Sequence, residues 1–341
     1  MALVTHRDAA EVGAALARWV AARHGARDVA VVSAEHPSIG YSSETVLVDL
    51  AWGGETHELV VRLAPPQVGT FRDYDLAHQT SAQLAAATAG VAIASPELVT
   101  DARWLGTEFL VMPRVRGHII GEVAVLDPWI VGLSEDDRAR VHEAFIGAVA
   151  ATHRADPAVA TRVPRRDNAA ELAFWADYLE WASGGRPVPA LVDALAWCRA
   201  HQPSTESDAV LLWGDVRFGN VIFGDDLAPL AVLDWDMSSI GAPEHDVAWF
   251  VAIEDTTRTL LGQGIEGFPD CPGIVARYEA ISGRTLHDLD WYEILARVRS
   301  TAILARIGYL HEEAGQPNPM PVEGSPLLDL LEGKIAAFDA R

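Results

Sequence analysis

Three polar residues in the segment 211–250 have the types and the spacing that magnesium-dependent phosphoryl transfer needs. Asp215 and Asp234 each follow a short apolar run, and Asn220 lies five residues after Asp215. In such chemistry one carboxylate accepts the proton of an attacking hydroxyl, while an amide oxygen and a second carboxylate hold Mg²⁺ against the nucleotide phosphates. The spacing therefore indicates a candidate phosphoryl-transfer site within one short stretch of chain.

Short apolar runs are expected to position these three side chains. The runs at Val210–Trp213, Val221–Phe223 and Ala231–Leu233 are bounded by Gly, Asp and Pro. Runs of this length and composition favour short buried strands joined by loops. The polar residues then lie at strand ends and point into one cleft.

The motifs in this stretch resemble those of a known family. WGDVRFGN at 213–220 resembles the catalytic loop of the aminoglycoside phosphotransferase family (the phosphotransferase enzyme family), HGDxxxxN, itself a variant of the protein-kinase loop. LDWD and the following GAPEHDVAW resemble the metal-binding segment and the Gly-x-Pro-x-x-Asp turn of that family. The resemblance runs from about Val29 to Tyr309 and is sharpest over Asp215–Asp246.

The resemblance implies an α+β, two-lobed, protein-kinase-like fold. Residues 1–115 are expected to form an N-terminal nucleotide-binding lobe, an antiparallel sheet with one main helix. Residues 116–341 are expected to form a C-terminal catalytic and substrate-binding lobe, mostly helical, with short strands that carry the catalytic loop.

The resemblance also implies roles for the central residues. Asp215 is expected to be the catalytic base, and Asn220 and Asp234 are expected to hold Mg²⁺. Arg217, inside the loop, either steadies the transferring phosphoryl group or pairs with an acid. Trp213 stands where the family usually has histidine, so the packing of the loop is expected to differ.

Candidate nucleotide contacts lie in the first third of the chain. GYSSET resembles the G-x-S-N-x-T stretch of the family, which makes Ser42 and Ser43 candidate phosphate contacts. Arg62, in LVVRLAPP, occupies the position of the kinase lysine, and the sole lysine of the chain is Lys334. A guanidinium can neutralise phosphate through two hydrogen bonds, although it is bulkier than an ammonium group.

A helix predicted at Tyr74–Ala87 corresponds to the kinase helix that supplies a glutamate partner for that cation. Gln79 occupies the glutamate position, and Asp73 and Asp75 lie one to two turns earlier. The sequence leaves open which of the three orients Arg62.

FLVMPRVRG at 109–117 resembles the hinge segment that holds adenine. By this match the C=O of Pro113 and the N–H of Val115 contact the base, since proline keeps its acceptor but lacks a donor. Met112 is either the adjoining apolar wall or a core residue.

Hydrophobic periodicity predicts the remaining elements. Helices are predicted at Asp8–His24, Ser134–His153, Asn168–Ala182, Val188–His201, Asp246–Glu254, Ile274–Ile281 and Asp290–Tyr309; strands are predicted at Val29–Ser33, Val46–Ala51, Leu59–Leu63, Ile93–Val99 and Glu108–Pro113; Thr256–Pro272 is predicted to be irregular.

Composition limits the classes of partner. The net charge of −22 disfavours binding to nucleic acid or to an anionic membrane. No apolar run approaches the ~18 residues of a membrane span, and two cysteines, Cys198 and Cys271, do not suggest a disulfide framework or a zinc site. We expect a cytoplasmic monomer or homodimer.

The pattern as a whole predicts an ATP- or GTP-dependent, Mg²⁺-dependent phosphotransferase that acts on a hydroxyl of a small molecule. The acceptor is an aminoglycoside-like antibiotic, a hydroxyacyl thioester or another alcohol. The R-x-x-P strand and the D-W-[DE] segment resemble the acyl-CoA-dehydrogenase-associated branch. The alternative is a catalytically weak, nucleotide-binding regulatory protein with a kinase fold. A protein kinase is disfavoured because the sequence has no D-F-G motif after Asp234.

Overall fold

The computed structural model describes residues 6–37, 43–121, 123–186, 188–319 and 321–341. The chain divides into two compact units, Met1–Leu84 with Ala94–Val115, and Ala85–Ile93 with Arg116–Arg341. One boundary between the units falls after Val115. The functions expected of the segments before and after this residue stay predictions.

The described residues form both helices and short strands. The helices are α1 (Ala9–His24), α2 (Leu76–Thr88), α3 (Pro128–Gly132), α4 (Glu135–Thr152), α5 (Asn168–Ser183), α6 (Pro189–Ala200), α7 (Glu244–Leu261), α8 (Cys271–Ser282), α9 (Leu289–Glu313) and α10 (Pro326–Asp339). The strands are β1 (Ala30–Glu35), β2 (Glu44–Trp52), β3 (Glu55–Leu63), β4 (Glu97–Val99), β5 (Phe109–Pro113), β6 (His118–Ile119), β7 (Val210–Leu212), β8 (Val221–Phe223), β9 (Pro229–Val232) and β10 (Ser239–Gly241).

The first unit is built on an antiparallel sheet with strand order β1-β2-β3-β5-β4. Alternate residues of β2 are buried, because successive side chains of a strand point to opposite faces. The apolar side of α1 packs on this sheet, and Val12, Leu16 and Val20 join its core. The Asp8 side chain caps the helix by accepting two backbone N–H groups.

A smaller apolar cluster in the first unit joins the start of α2 to β5. Leu76 packs with Ala94, Leu110 and Met112, and all four are buried. The last turn of α2 belongs to the second unit.

Two small antiparallel sheets support the segment of the second unit that carries Asp215, Asn220 and Asp234. β7 pairs with β10, and β8 lies between β6 and β9. The β8–β9 hairpin places Val221 opposite Val232. Gly117 lies so close to this hairpin that an added Cβ would be 2.4 Å from the carbonyl oxygen of Phe223.

The rest of the second unit is helical, and α9 is its central helix. This helix packs against α5, α6, α7 and α10, and most residues along its middle are buried. No helix within the described residues is long and apolar enough to cross a membrane. The predicted α+β class, with an antiparallel N-terminal sheet and mostly helical remainder, is confirmed.

Several predicted boundaries are wrong. Helix α7 continues through Thr256 to Leu261, because the first left-handed residue after it is Gly262 with φ 67°. The strand predicted at Ile93–Val99 is formed only at Glu97–Val99. Helix α10, near the C-terminus, was not predicted.

Candidate active site

A glycine turn ends β7 and leads into the loop that carries Asp215. Gly214 has φ 94°, a conformation that side chains with a Cβ rarely adopt. A Cβ at this position would also lie 2.3 Å from the carbonyl oxygen of Met237. The sharp turn of the backbone here therefore requires glycine.

The Asp215 carboxylate accepts hydrogen bonds on both oxygens. Oδ2 accepts from Nε of Arg217 at 2.9 Å and from Nδ2 of Asn220 at 2.7 Å. Oδ1 accepts from the indole Nε1 of Trp249 at 3.2 Å. Arg217 thus pairs with an acid in this structure, and its expected contact with the transferring phosphoryl group stays a prediction. These donors fix the direction of the carboxylate.

The pKa of Asp215 is raised above its ordinary value, mainly because burial disfavours the charged form. The guanidinium of Arg217 opposes the rise, and the nearby carboxylate of Asp234 adds to it. A carboxylate with a raised pKa accepts a proton more readily, which suits a general base.

Asn220 and the strand that leads to Asp234 are joined through the backbone. The N–H of Leu233 donates to the carbonyl of Asn220 at 2.8 Å. The Asn220 side-chain nitrogen also donates to the backbone oxygen of Asp215 at 3.0 Å. Asp234 follows with φ 57°, in the left-handed region.

This donor set fits Mg²⁺. Asn220 and Asp234 both offer oxygen ligands, which Mg²⁺ prefers, and protein sites for this ion commonly use one or two carboxylates with phosphates and water. Among the described residues no group of three or more His, Cys, Asp or Glu side chains forms a metal cluster. Asn220 and Asp234 would share such an ion with nucleotide phosphates and water.

Asp246, in the first turn of α7, holds the start of the catalytic loop. Its carboxylate accepts the N–H of Trp213 at 2.7 Å and the N–H of Gly214 at 2.9 Å. It also lies 3.0 Å from Nε2 of His153, whose Nδ1 is 2.7 Å from the Tyr278 hydroxyl. The carboxylate is buried and orders the loop backbone.

Trp213, at the position usual for histidine, connects the loop to the strand that carries Asp234. Its indole N–H donates to the carbonyl of Leu233 at 2.8 Å and lies 3.2 Å from that of Asp234. The ring is fully buried. The bulky aromatic side chain thus ties together the two segments that carry Asp215 and Asp234.

Sequence reasoning missed the group of side chains behind Asp215. Trp249, on α7, lies near the guanidinium of Arg299 on α9, 4.9 Å from its ring centroid. Arg299 in turn pairs with Glu171 of α5 at 3.7 Å. The signal that could have found Trp249 is its position three residues after Asp246, on the same face of one helix.

In the first unit, Arg62 and Ser43 are in contact. Nε and Nη2 of Arg62 donate to the Ser43 hydroxyl at 3.0 and 2.5 Å. Arg62 lies opposite Thr45 of β2 and Leu110 of β5. Ser42, the other predicted phosphate contact, lies outside the described residues.

The three candidate partners for Arg62 differ in setting. Gln79 is buried on α2, whereas Asp73 is exposed. The Asp75 carboxylate accepts the backbone N–H of His78 at 2.8 Å. Asp75 therefore has a capping contact at the start of α2, which is a structural use of this side chain.

The hinge residues lie at the end of β5 and just beyond it. Met112 is buried in the apolar cluster of α2 and β5, so the core alternative describes its setting. Pro113 is exposed, and Val115 is partly buried against the same cluster. The N–H of Arg114, between them, donates to the carbonyl of Glu58 at 2.9 Å.

A carboxylate held beside an amide and a second carboxylate, on a loop after a short strand, is the arrangement of a kinase-type phosphotransferase. The sequence profile of the phosphotransferase enzyme family matches residues 33–278. This is more than half of the 341 residues, and the chain belongs to this family.

Curated relatives confirm the predicted resemblance to the acyl-CoA-dehydrogenase-associated branch. Human acyl-CoA dehydrogenase family member 11 is 26% identical over 235 residues, covering 65% of this chain and 29% of that protein. Family member 10 of Mus musculus is 27% identical over 221 residues, covering 62% of this chain and 19% of that protein. The chain thus spans less than a third of the length of these relatives.

Solved structures share the fold. A candidate aminoglycoside phosphotransferase from Ralstonia eutropha has a TM-score of 0.72 at 20% identity, covering 95% of this chain and 98% of that one. The GDP and kanamycin complex of APH(2")-IIIa has a TM-score of 0.55 at 17% identity, covering 93% of this chain and 97% of that one. Spectinomycin phosphotransferase with ADP and spectinomycin has a TM-score of 0.58 at 10% identity, with 94% and 97% covered. The predicted phosphotransferase fold is confirmed.

Proposed function

We propose that this enzyme transfers the γ-phosphoryl group of ATP or GTP to the hydroxyl of a small molecule, with Asp215 as the base. The observation that carries the proposal is the setting of the Asp215 carboxylate. It lies just beyond a glycine turn, receives hydrogen bonds on both oxygens, and is only 16% exposed. The rise in its pKa caused by burial favours acceptance of the hydroxyl proton.

The residues proposed to hold the metal and the nucleotide are those whose side chains offer suitable oxygen ligands or hydrogen-bond donors. Asn220 and Asp234 would hold Mg²⁺, which when bound neutralises charge on the phosphate oxygens. Arg62 would bind phosphate through its guanidinium, and Ser43 would orient that group through the hydrogen bonds described above. Gln79 would take the place of the kinase glutamate and help to orient Arg62 on β3. Ser42 would add a phosphate contact.

The adenine or guanine ring would be recognised through backbone groups. The carbonyl of Pro113 would accept from the base, and the N–H of Val115 would donate to it. Both groups lie at the end of β5 or beyond, where the ladder to β3 stops at Pro113. Met112 would contribute apolar packing beneath that segment.

For the acceptor, we propose a hydroxyacyl thioester rather than an antibiotic. The curated relatives that match this chain carry acyl-CoA dehydrogenase names, and such a partner reaction acts on thioesters. The antibiotic phosphotransferases share the fold at 10–20% identity, and fold alone does not determine the acceptor.

The test is phosphoryl transfer from ATP or GTP to a panel of hydroxylated acceptors, with and without Mg²⁺. Hydroxyacyl thioesters should be phosphorylated faster than aminoglycosides, macrolides or choline, and only with the metal present. Preference for an antibiotic would refute the acceptor assignment alone. Nucleotide binding without transfer to any acceptor or to water would instead favour the regulatory alternative.

A further inference from the structure

The start of α7 contacts three consecutive residues of the catalytic loop. Asp246 accepts the backbone N–H groups of Trp213 and Gly214. Trp249, one turn later on the same helix face, donates its indole N–H to the carboxylate of Asp215 at 3.2 Å. The same helix surface therefore fixes both the backbone of the loop and the direction of its carboxylate.

The two oxygens of Asp215 are in different settings. Oδ2 receives donors from two residues, Arg217 and Asn220. Among the described residues, the indole of Trp249 is the one donor to Oδ1. A carboxylate oxygen has two lone pairs, so Oδ1 keeps one for an incoming hydroxyl once the indole has fixed its direction.

The position of the Trp249 ring is itself fixed. The side chain is almost fully buried, and the Arg299 guanidinium lies 4.9 Å from its ring centroid. Arg299 also lies 5.1 Å from the ring of Trp175 and pairs with Glu171 at 3.7 Å. Helices α5, α7 and α9 thus converge on one indole, and its N–H has little freedom to leave Asp215.

We propose that Trp249 is a positioning residue for the reaction: its indole N–H holds the Asp215 carboxylate so that Oδ1 faces the acceptor hydroxyl. This inference rests on the proposed role of Asp215 as the base. It differs from a packing role, because packing needs only the aromatic ring, whereas positioning needs the N–H.

Trp249→Phe separates these two roles, since phenylalanine keeps a ring over Arg299 but has no donor. We expect kcat to fall about 10- to 100-fold, the range for loss of one hydrogen bond to a charged acceptor. The KM of the acceptor and the Kd of the nucleotide should stay within about twofold of the parent. A Trp249→His variant, which can present a ring N–H, should recover part of kcat.

Trp197→Phe is the matched control. Trp197 also donates its indole N–H to a carboxylate, that of Asp339, at 3.0 Å, but this pair lies on α6 and α10. The control should leave kcat unchanged. If Trp249→Phe keeps kcat within about twofold of the parent while Asp215→Asn is impaired, the positioning role is overturned and the proposed function stands.

An NMR measurement tests the hydrogen bond without using activity. The chain has 11 tryptophans, and the indole N–H signal absent from Trp249→Phe belongs to Trp249. This signal should move in Asp215→Ala and stay in place in Asp225→Ala, a change at an exposed turn. A signal that does not move in Asp215→Ala would refute the contact.

The same experiments identify a failure of the proposed function. If the parent transfers phosphate to neither an acceptor nor water, and Asp215→Asn behaves identically, there is no reaction for Trp249 to support. That result overturns both proposals, even when the indole signal reports an intact hydrogen bond.

Discussion

At the scale of single residues, Arg62 is the proposed phosphate ligand of the first unit. Its guanidinium donates twice to the Ser43 hydroxyl, so the direction of the proposed phosphate ligand is set in part by a side chain directly before the start of β2. The sequence could indicate the position of this arginine on a strand. It could not indicate the Ser43 contact, because that contact depends on the register of β2 against β3.

Arg62→Ala should weaken nucleotide binding by about 1.5–3 kcal/mol, which is typical for loss of a hydrogen bond to a charged group. Isothermal calorimetry with ATP or GTP measures this. Arg23→Ala is the control, because Arg23 forms a well-exposed pair with Glu97 in the same unit and should not change the affinity. Equal affinity of parent and Arg62→Ala would contradict the phosphate role.

At the scale of elements, local signals predicted the ends of some helices well. Asp8 and Ser134 cap α1 and α4 by accepting backbone N–H groups, as their residue types favour. The predicted end of α7 was wrong because the glycine content of Thr256–Pro272 suggested an irregular segment. The helix instead continues to Leu261. β10 was missed because three residues, Ser239–Gly241, carry almost no periodic signal.

The turn that ends β7 is the element on which the catalytic loop depends. Gly214→Ala should cost about 2 kcal/mol or more of unfolding free energy, because both its φ and the 2.3 Å approach to the Met237 oxygen exclude a Cβ. Urea denaturation measures the loss.

Gly53→Ala is the matched control for that turn. Gly53 has φ 63°, but nothing lies within 4 Å of its would-be Cβ. This variant should lose only the cost of the left-handed backbone, about 1–2 kcal/mol. A loss at Gly214 no larger than that at Gly53 would show that the close approach does not constrain the turn.

At the scale of the whole molecule, the proximity of Asp215, Asn220 and Asp234 could be predicted because these residues lie within one local stretch. The contacts behind them could not. Trp249 and Asp215 are 34 residues apart, and Arg299 comes from a third helix, so their meeting depends on tertiary packing that periodicity does not encode.

Stability should depend on pH through His142, which is buried among aromatic rings of Phe218, Phe250 and Phe268. Burial lowers the pKa of His142 to about 3, with help from Arg258 and Arg277. Below the ordinary value near 6.5, the unfolded chain binds a proton that the folded chain excludes, so stability is lost as pH falls.

His142→Phe removes that titration. The unfolding free energy of the variant minus that of the parent should be about 2 kcal/mol larger at pH 5 than at pH 8. Denaturant titrations of both proteins at pH 8, 7 and 5 give this difference, which should be flat from pH 8 to 7. A difference that stays constant down to pH 5 would mean that His142 is protonated in the folded protein.

The most direct measurement of the central claim compares turnover and ligand binding in Asp215→Asn. Asparagine keeps the shape of the side chain but cannot take the hydroxyl proton, so nucleotide and Mg²⁺ should bind about as in the parent while kcat falls by roughly 10²–10⁴. Asp225→Asn, at a carboxylate that is 99% exposed, should change neither quantity. Parental turnover in Asp215→Asn, with binding intact, would contradict the assignment of Asp215 as the catalytic base.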